Sequence, residues 1–82
     1  MKLILSTPLK RSEYSVAWLE INTPTGNYVI QKGHAPIILI LSPGQSLTFR
    51  LKTGKKETLL VKHGVAKIDR TSATIVMMVT EE

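Results

Sequence analysis

Apolar residues recur at every second position over long parts of this chain. Leu47, Phe49 and Leu51 alternate with Thr48, Arg50 and Lys52, and Ala73, Ile75, Met77 and Val79 alternate with Thr74, Val76, Met78 and Thr80. Successive side chains of a strand point to opposite faces, so a period of two describes a strand with one buried face. The pattern predicts strands over residues 2–6, 14–21, 28–31, 37–41, 47–52, 58–62, 65–69 and 73–80. The run from Ile37 to Leu41 holds no polar residue, which predicts a strand apolar on both faces, central in its sheet rather than at an edge. No segment sustains a helical period, and no internal repeat is visible.

Turn signals separate these runs at intervals of about 8–12 residues, the spacing of a sandwich or barrel. They are Thr23-Pro24-Thr25-Gly26, Pro43-Gly44, Thr53-Gly54 and Arg70-Thr71-Ser72. Thr53-Gly54 suits a tight hairpin. His63-Gly64 lies inside a strand-like run, where glycine marks a bulge or bend. Gly33-His34-Ala35-Pro36 reads as a rigid corner. Gly33 tolerates a backbone turn that a side chain would forbid, while Pro36 fixes its own φ and pushes Ala35 toward extended geometry. The corner presents His34, either bonded to nearby backbone or facing a partner.

Eighty-two residues make one domain, with 43% apolar content and no cysteine. A chain of this size buries only about 60% of its unfolded surface. The missing cysteines exclude disulfides, cysteine-based zinc sites and a thiol nucleophile. His34 and His63 are 29 residues apart, and neither sits in a metal-ligand spacing. The serines lack a nucleophile-elbow context, and no glycine-rich phosphate loop is present. These absences argue against an enzyme. No apolar run approaches the roughly 18 residues of a membrane span. The apolar start is interrupted by Thr7-Pro8 and Lys10-Arg11, too early for a signal peptide, so a cytosolic protein is expected.

The formal net charge is +5. Arg50, Lys52, Lys55 and Lys56 gather around the Thr53-Gly54 hairpin, where charge discourages edge-to-edge aggregation and also suits an anionic partner. One function compatible with this charge is a basic oligonucleotide-binding β-barrel module. Against it, Tyr14, Trp18, Tyr28 and Phe49 are dispersed, whereas a base-stacking platform interleaves several aromatics with basic residues. Trp18, the only tryptophan, is expected in the core.

The order of segments resembles the N-terminal β-sandwich domain of the epsilon subunit of rotary (F-type) ATP synthases. Gly33-His34-Ala35-Pro36 is the specific run. Leu3-Ile4-Leu5-Ser6-Thr7-Pro8, Tyr14-Ser15, Thr25-Gly26-Asn27-Tyr28-Val29-Ile30, Leu41-Ser42-Pro43-Gly44, Val61-Lys62-His63-Gly64-Val65-Ala66 and Ala73-Thr74-Ile75-Val76-Met77 agree with it in order and spacing. The resemblance implies an all-β, two-sheet sandwich of short, mostly antiparallel strands over residues 1–82. It also implies a non-catalytic central-stalk subunit that couples rotation of the c ring to the gamma subunit and the catalytic head during ion-driven ATP synthesis. No catalytic residue, metal or cofactor is implied. The implied partners are gamma and the c ring, with one copy per complex, no nucleic acid and no direct membrane insertion. The implied place is peripheral, on the cytoplasmic face of a bacterial plasma membrane.

By position, Gly26, Asn27 and Tyr28 match the family loop that meets the c ring. Thr7, Pro8, Gly33, His34, Ala35 and Pro36 match positions near gamma. Some positions depart from the family. Asn27 stands where relatives often carry an acidic residue, Val16 replaces a glycine, His63 replaces the first glycine of a Gly-Gly step, and the loop from Asn22 to Gly26 is about two residues shorter. Many relatives continue into a C-terminal helical pair. Here the sequence stops at Glu81-Glu82, so a short form that couples without inhibitory helices is expected.

Overall fold

A computed structural model describes residues 1–79, which form seven strands with no helix among them. The strands are β1 (Lys2–Ser6), β2 (Arg11–Thr23), β3 (Gly26–Ile30), β4 (Ile37–Leu41), β5 (Ser46–Leu51), β6 (Lys56–Ile68) and β7 (Ser72–Val79). The expected extension of the last strand to Thr80 and the chain's end at Glu81-Glu82 lie outside the described residues.

β2 and β6, 13 residues each, serve two sheets apiece. The first part of β2 pairs with β1, from Ser6 opposite Arg11 to Lys2 opposite Ser15. Its second part pairs with β5 from Val16, with a register shift between Val16 and Trp18, and with β3 from Leu19. β6 repeats the device. Lys56–Leu60 pair with β5, a shift falls between Val61 and His63, and Gly64–Ile68 pair with β4 and β7. One sheet therefore runs β4-β6-β7-β1-β2 and the other β3-β2-β5-β6. The path β1-β7-β6-β5-β2 returns to β1 as a closed ring, with β3 and β4 attached outside it. β1 and β7 run parallel, while every other pair is antiparallel.

The bulge or bend expected at His63-Gly64 is a bulge just before it, between Val61 and His63, and the runs expected over 58–62 and 65–69 are one continuous strand. A bulge tightens the local twist while the ladder continues. Gly64 is also required by proximity. A Cβ built there would lie 2.6 Å from the Met77 Cβ and 2.7 Å from the Val76 carbonyl oxygen. Neither atom is the movable end of a side chain, so the two strands approach this closely only because Gly64 has no side chain.

The core lies between the sheets. Leu3, Val16, Leu19, Ile21, Ile30, Leu47, Phe49, Ile68 and Ile75 are fully buried within it. Each such side chain contributes about 1.5–3 kcal/mol by leaving water. Tyr14 packs its ring on Phe49 with centroids 5.0 Å apart, tying the β1–β2 side to the β5 side.

Two sequence expectations are corrected here. β4 is an edge strand that pairs with β6 alone, not a central one. Leu39 and Leu41 face the core, but Ile38 and Ile40 are 69% and 65% exposed. A run apolar on both faces has one face outside the sandwich. Trp18 is half-buried on the outer face of the second sheet, because its neighbours Leu19 and Ile21 take the inward phase of β2.

Gly64→Ala is expected to cost about 1–3 kcal/mol, the range for overpacking a close-packed site. A denaturant melt measures it, and an unchanged midpoint would show that β6 and β7 can separate freely.

Candidate functional site

The outer face of the β4-β6-β7-β1 sheet carries apolar side chains where alternation calls for polar ones. Ile40 on β4 lies opposite Val65 on β6, and Val65 lies opposite Val76 on β7. The three make an exposed row across three strands. Ile38 extends the patch along β4, and Met78, opposite His63, extends it along β7. An open depression of about 520 Å³ lies at the β1 end of this row, between Ser6-Thr7-Pro8 and the side chains of His63, Val65, Val76 and Met78. A monomeric protein rarely exposes a contiguous apolar patch unless something covers it.

The chain builds the rim of this face from local hydrogen bonds. The Thr7 N–H donates to the Lys10 carbonyl at 2.9 Å, and the Thr7 hydroxyl oxygen accepts from the Lys10 N–H at 3.3 Å. This turn holds Pro8 outward together with Leu9, which is 74% exposed. On the flank, Lys2 Nζ lies 2.8 Å from Glu13 Oε1. The hydrogen bond from Lys2, and then its charge, hold the Glu13 carboxyl below the ordinary carboxylate range.

Gly33, His34, Ala35 and Pro36 form the expected corner. Gly33 adopts φ +90°, a conformation that a side chain would strain. Its N–H donates to the Arg70 carbonyl at 2.6 Å, and the His34 N–H donates to the Gln31 carbonyl at 3.1 Å. His34 Nδ1 lies 2.7 Å from the Ala35 carbonyl oxygen. A carbonyl only accepts, so Nδ1 carries the proton. His34 is therefore satisfied within its own corner, with the half-buried ring helping to fix it.

This corner and Thr7-Pro8 do not meet. Gly33 is bound beside the β6–β7 turn, where Lys2 lies opposite Ser72, whereas Thr7 follows Ser6 at the far end of β1, opposite Val76. The exposed apolar row lies between the two groups. Gly26, Asn27 and Tyr28 occupy a third place, on the β3 edge of the other sheet, opposite Thr23, Asn22 and Ile21. Thr23, buried, donates its hydroxyl to the Gly26 carbonyl at 2.9 Å and accepts from the Thr25 N–H at 3.2 Å, which fixes the turn. The Asn27 side-chain amide donates to Glu20 Oε2 at 3.2 Å and Asn22 Oδ1 at 3.0 Å. Tyr28 is half-buried against the core.

Among the described residues no group of three His, Asp or Glu is placed to hold a metal ion. The aromatics do not assemble a stacking surface either. Tyr14 and Phe49 pack on each other inside the sandwich, and Tyr28 packs on the core, which leaves Trp18 alone on an outer face.

Over residues 1–82 the sequence matches the family described as ATP synthase, Delta/Epsilon chain, beta-sandwich domain. The chain belongs to this family. Among solved structures, the delta/epsilon sandwich is similar to a chain of the Tetrahymena thermophila mitochondrial ATP synthase central stalk and c ring, with TM-score 0.81 and 22% identity over 95% of this chain. It is also similar to a chain of the Euglena gracilis mitochondrial ATP synthase OSCP/F1/c-ring structure, with TM-score 0.84 and 24% identity over 92% of this chain. At these identities the likeness establishes a shared fold. The chain spans 63% and 48% of those two chains. No curated protein matches the sequence. The two-sheet, all-β fold of the delta/epsilon sandwich agrees with the sequence expectation.

Positions read from family motifs alone leave out Ile38, Ile40, Val65, Val76, Met78 and His63. A signal for them was present. In β7 the inward set is Ala73, Ile75 and Met77, so Val76 and Met78 fall on the outward phase.

The Lys2–Glu13 pair carries a pH prediction. A carboxyl held low in the folded state stabilises the fold above its unfolded pKa, and that contribution is lost as pH falls through the folded pKa. An NMR titration is expected to place the Glu13 midpoint below 4.5, the unshifted value. Lys2→Ala is expected to return it upward. A midpoint unmoved by Lys2→Ala would remove the pairing.

Proposed function

We propose that this domain is a non-catalytic block in the central stalk of a rotary ATP synthase, carrying rotation of the c ring to the gamma subunit and the catalytic head. The observation that carries the reading is the exposed Ile40–Val65–Val76 row with its flanks Ile38 and Met78. In a family whose structural relatives come from central-stalk and c-ring assemblies, such a face suits docking on the gamma subunit. Thr7-Pro8 lies at one end of the face and the Gly33–Pro36 corner at the other, so a partner spanning it reaches both groups. The physical demand is an interface that does not slip under torque, and closely packed apolar side chains resist shear because packed interiors are poorly compressible.

The Gly26–Tyr28 edge is the second contact, toward the c ring. Asn27 brings no charge of its own, but its amide holds the Glu20 carboxylate at 3.2 Å. Glu20 thereby supplies the anionic group that relatives often carry at the position of Asn27. A carboxylate makes a stronger, charge-assisted bond to a basic group on the ring than a neutral amide does. In this reading the domain is peripheral, at the cytoplasmic face of the plasma membrane, with one copy per complex and no bound nucleotide. No helix among the described residues is long and apolar enough to cross a membrane.

The test is co-expression with the gamma subunit of the same genome, followed by titration calorimetry of the purified pair. Ile40→Asp and Val76→Asp are expected to weaken binding by about a hundredfold or more, because each buries an unpaired carboxylate in the interface. Asn27→Ala and Glu20→Gln are expected to leave gamma binding unchanged and to weaken the gamma-bound domain's hold on the isolated ring. Equal affinity of Ile40→Asp and the parent chain for gamma would defeat the proposal.

A further inference from the structure

The outer face of the opposite sheet is built differently. Trp18 on β2 lies opposite Arg50 on β5, and Arg50 lies opposite Lys56 on β6. Neighbouring side chains in such a row stand about 5 Å apart at Cβ. Lys56 reaches back across the row, and its Nζ sits 5.6 Å from the Trp18 ring centroid. Arg50 turns the other way, with its guanidinium beside Gly54 in the hairpin. An open depression of about 390 Å³ is lined by Trp18, Glu20, Val29, Gln31 and Lys56. Val29 is 52% exposed within it.

Positive charge collects at this end of the sandwich. Five of the chain's 11 Lys and Arg residues, Lys32, Arg50, Lys52, Lys55 and Lys56, lie on this face or on the loops beside it. Burial, and then the charges of Lys52 and Lys32, lower the pKa of the Met1 amino group, so both cations lie near that one point. Of the nearby carboxylates, Glu57 lies 3.3 Å from Lys55. Glu20 accepts from the neutral Asn27 amide and keeps its charge on the β3 side, so an acidic occupant lies on the Arg50–Lys56 side. Among the described residues Lys32, Arg50, Lys52 and Lys56 have no carboxylate partner.

We infer that this face is a docking site for an acidic polypeptide segment that places one apolar side chain against Trp18 and Val29. Charge complementarity selects the sign of the occupant, and the depression selects its shape. A single nucleic-acid strand stacks successive bases on several aromatics, and this face offers one. A membrane surface also attracts clustered cations, but firm binding adds apolar side chains that enter the acyl boundary. Here the hairpin tip is Thr53, Gly54 and Lys55, and Trp18 and Val29 lie in an open depression shared with Glu20, Gln31 and Lys56. The site lies on the sheet opposite the Ile40–Val65–Val76 face, so both can be occupied together.

Trp18, the only tryptophan, reports on the site directly. The experiment is a fluorescence titration of the full chain with a Glu-rich peptide bearing one central leucine, at low and at moderate salt. The expected result is a saturable change in Trp18 emission that weakens with salt. Arg50→Glu and Lys56→Glu are each expected to reduce the affinity about tenfold or more, and Lys56→Gln by less. Ile40→Asp, on the opposite face, is expected to leave it unchanged. Since Arg50 and Lys56 are exposed, circular dichroism of the variants is expected to match the parent. No saturable change with the peptide, or equal binding by Arg50→Glu and Lys56→Glu, overturns the inference. So does a response to oligothymidylate or to phosphatidylserine vesicles without a response to the peptide.

Discussion

β2 and β6 each belong to both sheets, and the rest of the domain depends on that sharing. In a sandwich of independent sheets, only side-chain packing opposes sliding of one layer over the other. Here two covalent strands pass from layer to layer, so sliding would also break their backbone ladders. The bulges at Val16–Trp18 and Val61–His63 make the passage possible by bending each strand without ending it. Gly64 completes the arrangement by letting β6 and β7 approach more closely than any side chain would permit. The product is a stiff block from a chain with no disulfide to brace it.

That stiffness frees the two outer faces to differ. One bears the Ile40–Val65–Val76 row, and the other bears Trp18 with its cationic neighbours. The apolar groups of the first face stay out of the core because the inward phases of β4, β6 and β7 are already filled by Leu39, Leu41, Ala66, Ile68, Ala73, Ile75 and Met77. The cations of the second face do not disturb the core, since alternation directs Arg50 outward while Leu47 and Phe49 face in. A rigid ring with unlike faces is suited to the proposed place between unlike partners.

Local chemistry carried most of the fold in the sequence. Alternation in β5 and β7 revealed their buried faces, and Gly33-His34-Ala35-Pro36 revealed the corner. Sheet membership was less legible. Nothing in the residues of β2 alone shows that its two halves pair with different strands, because that depends on partners far away in the chain. Ile37 to Leu41 misled for a related reason. Apolar side chains on both faces do not record which of the two faces this chain itself covers. Trp18 misled because a large aromatic is most often core, whereas here the phase set by Leu19 and Ile21 turns it outward. The site groups split along the same line. The corner at His34 was visible locally, while its separation from Thr7-Pro8 by a shared apolar face appeared only once β1 was paired with β7.

The parallel pairing of β1 with β7 also bears on how the chain folds. Lys2 finds its partner in Ser72 and Ser6 finds its partner in Val76, so the two ends of the described chain meet as neighbouring strands. The β2–β3, β5–β6 and β6–β7 hairpins form from contacts close in sequence, but β1 has only one side satisfied until the last strand arrives. Non-local pairings of this kind slow folding, because the entropy of closing the loop is lost before any contact rewards it. On the ribosome, the early strands must therefore wait with an open edge until almost all of the domain has emerged.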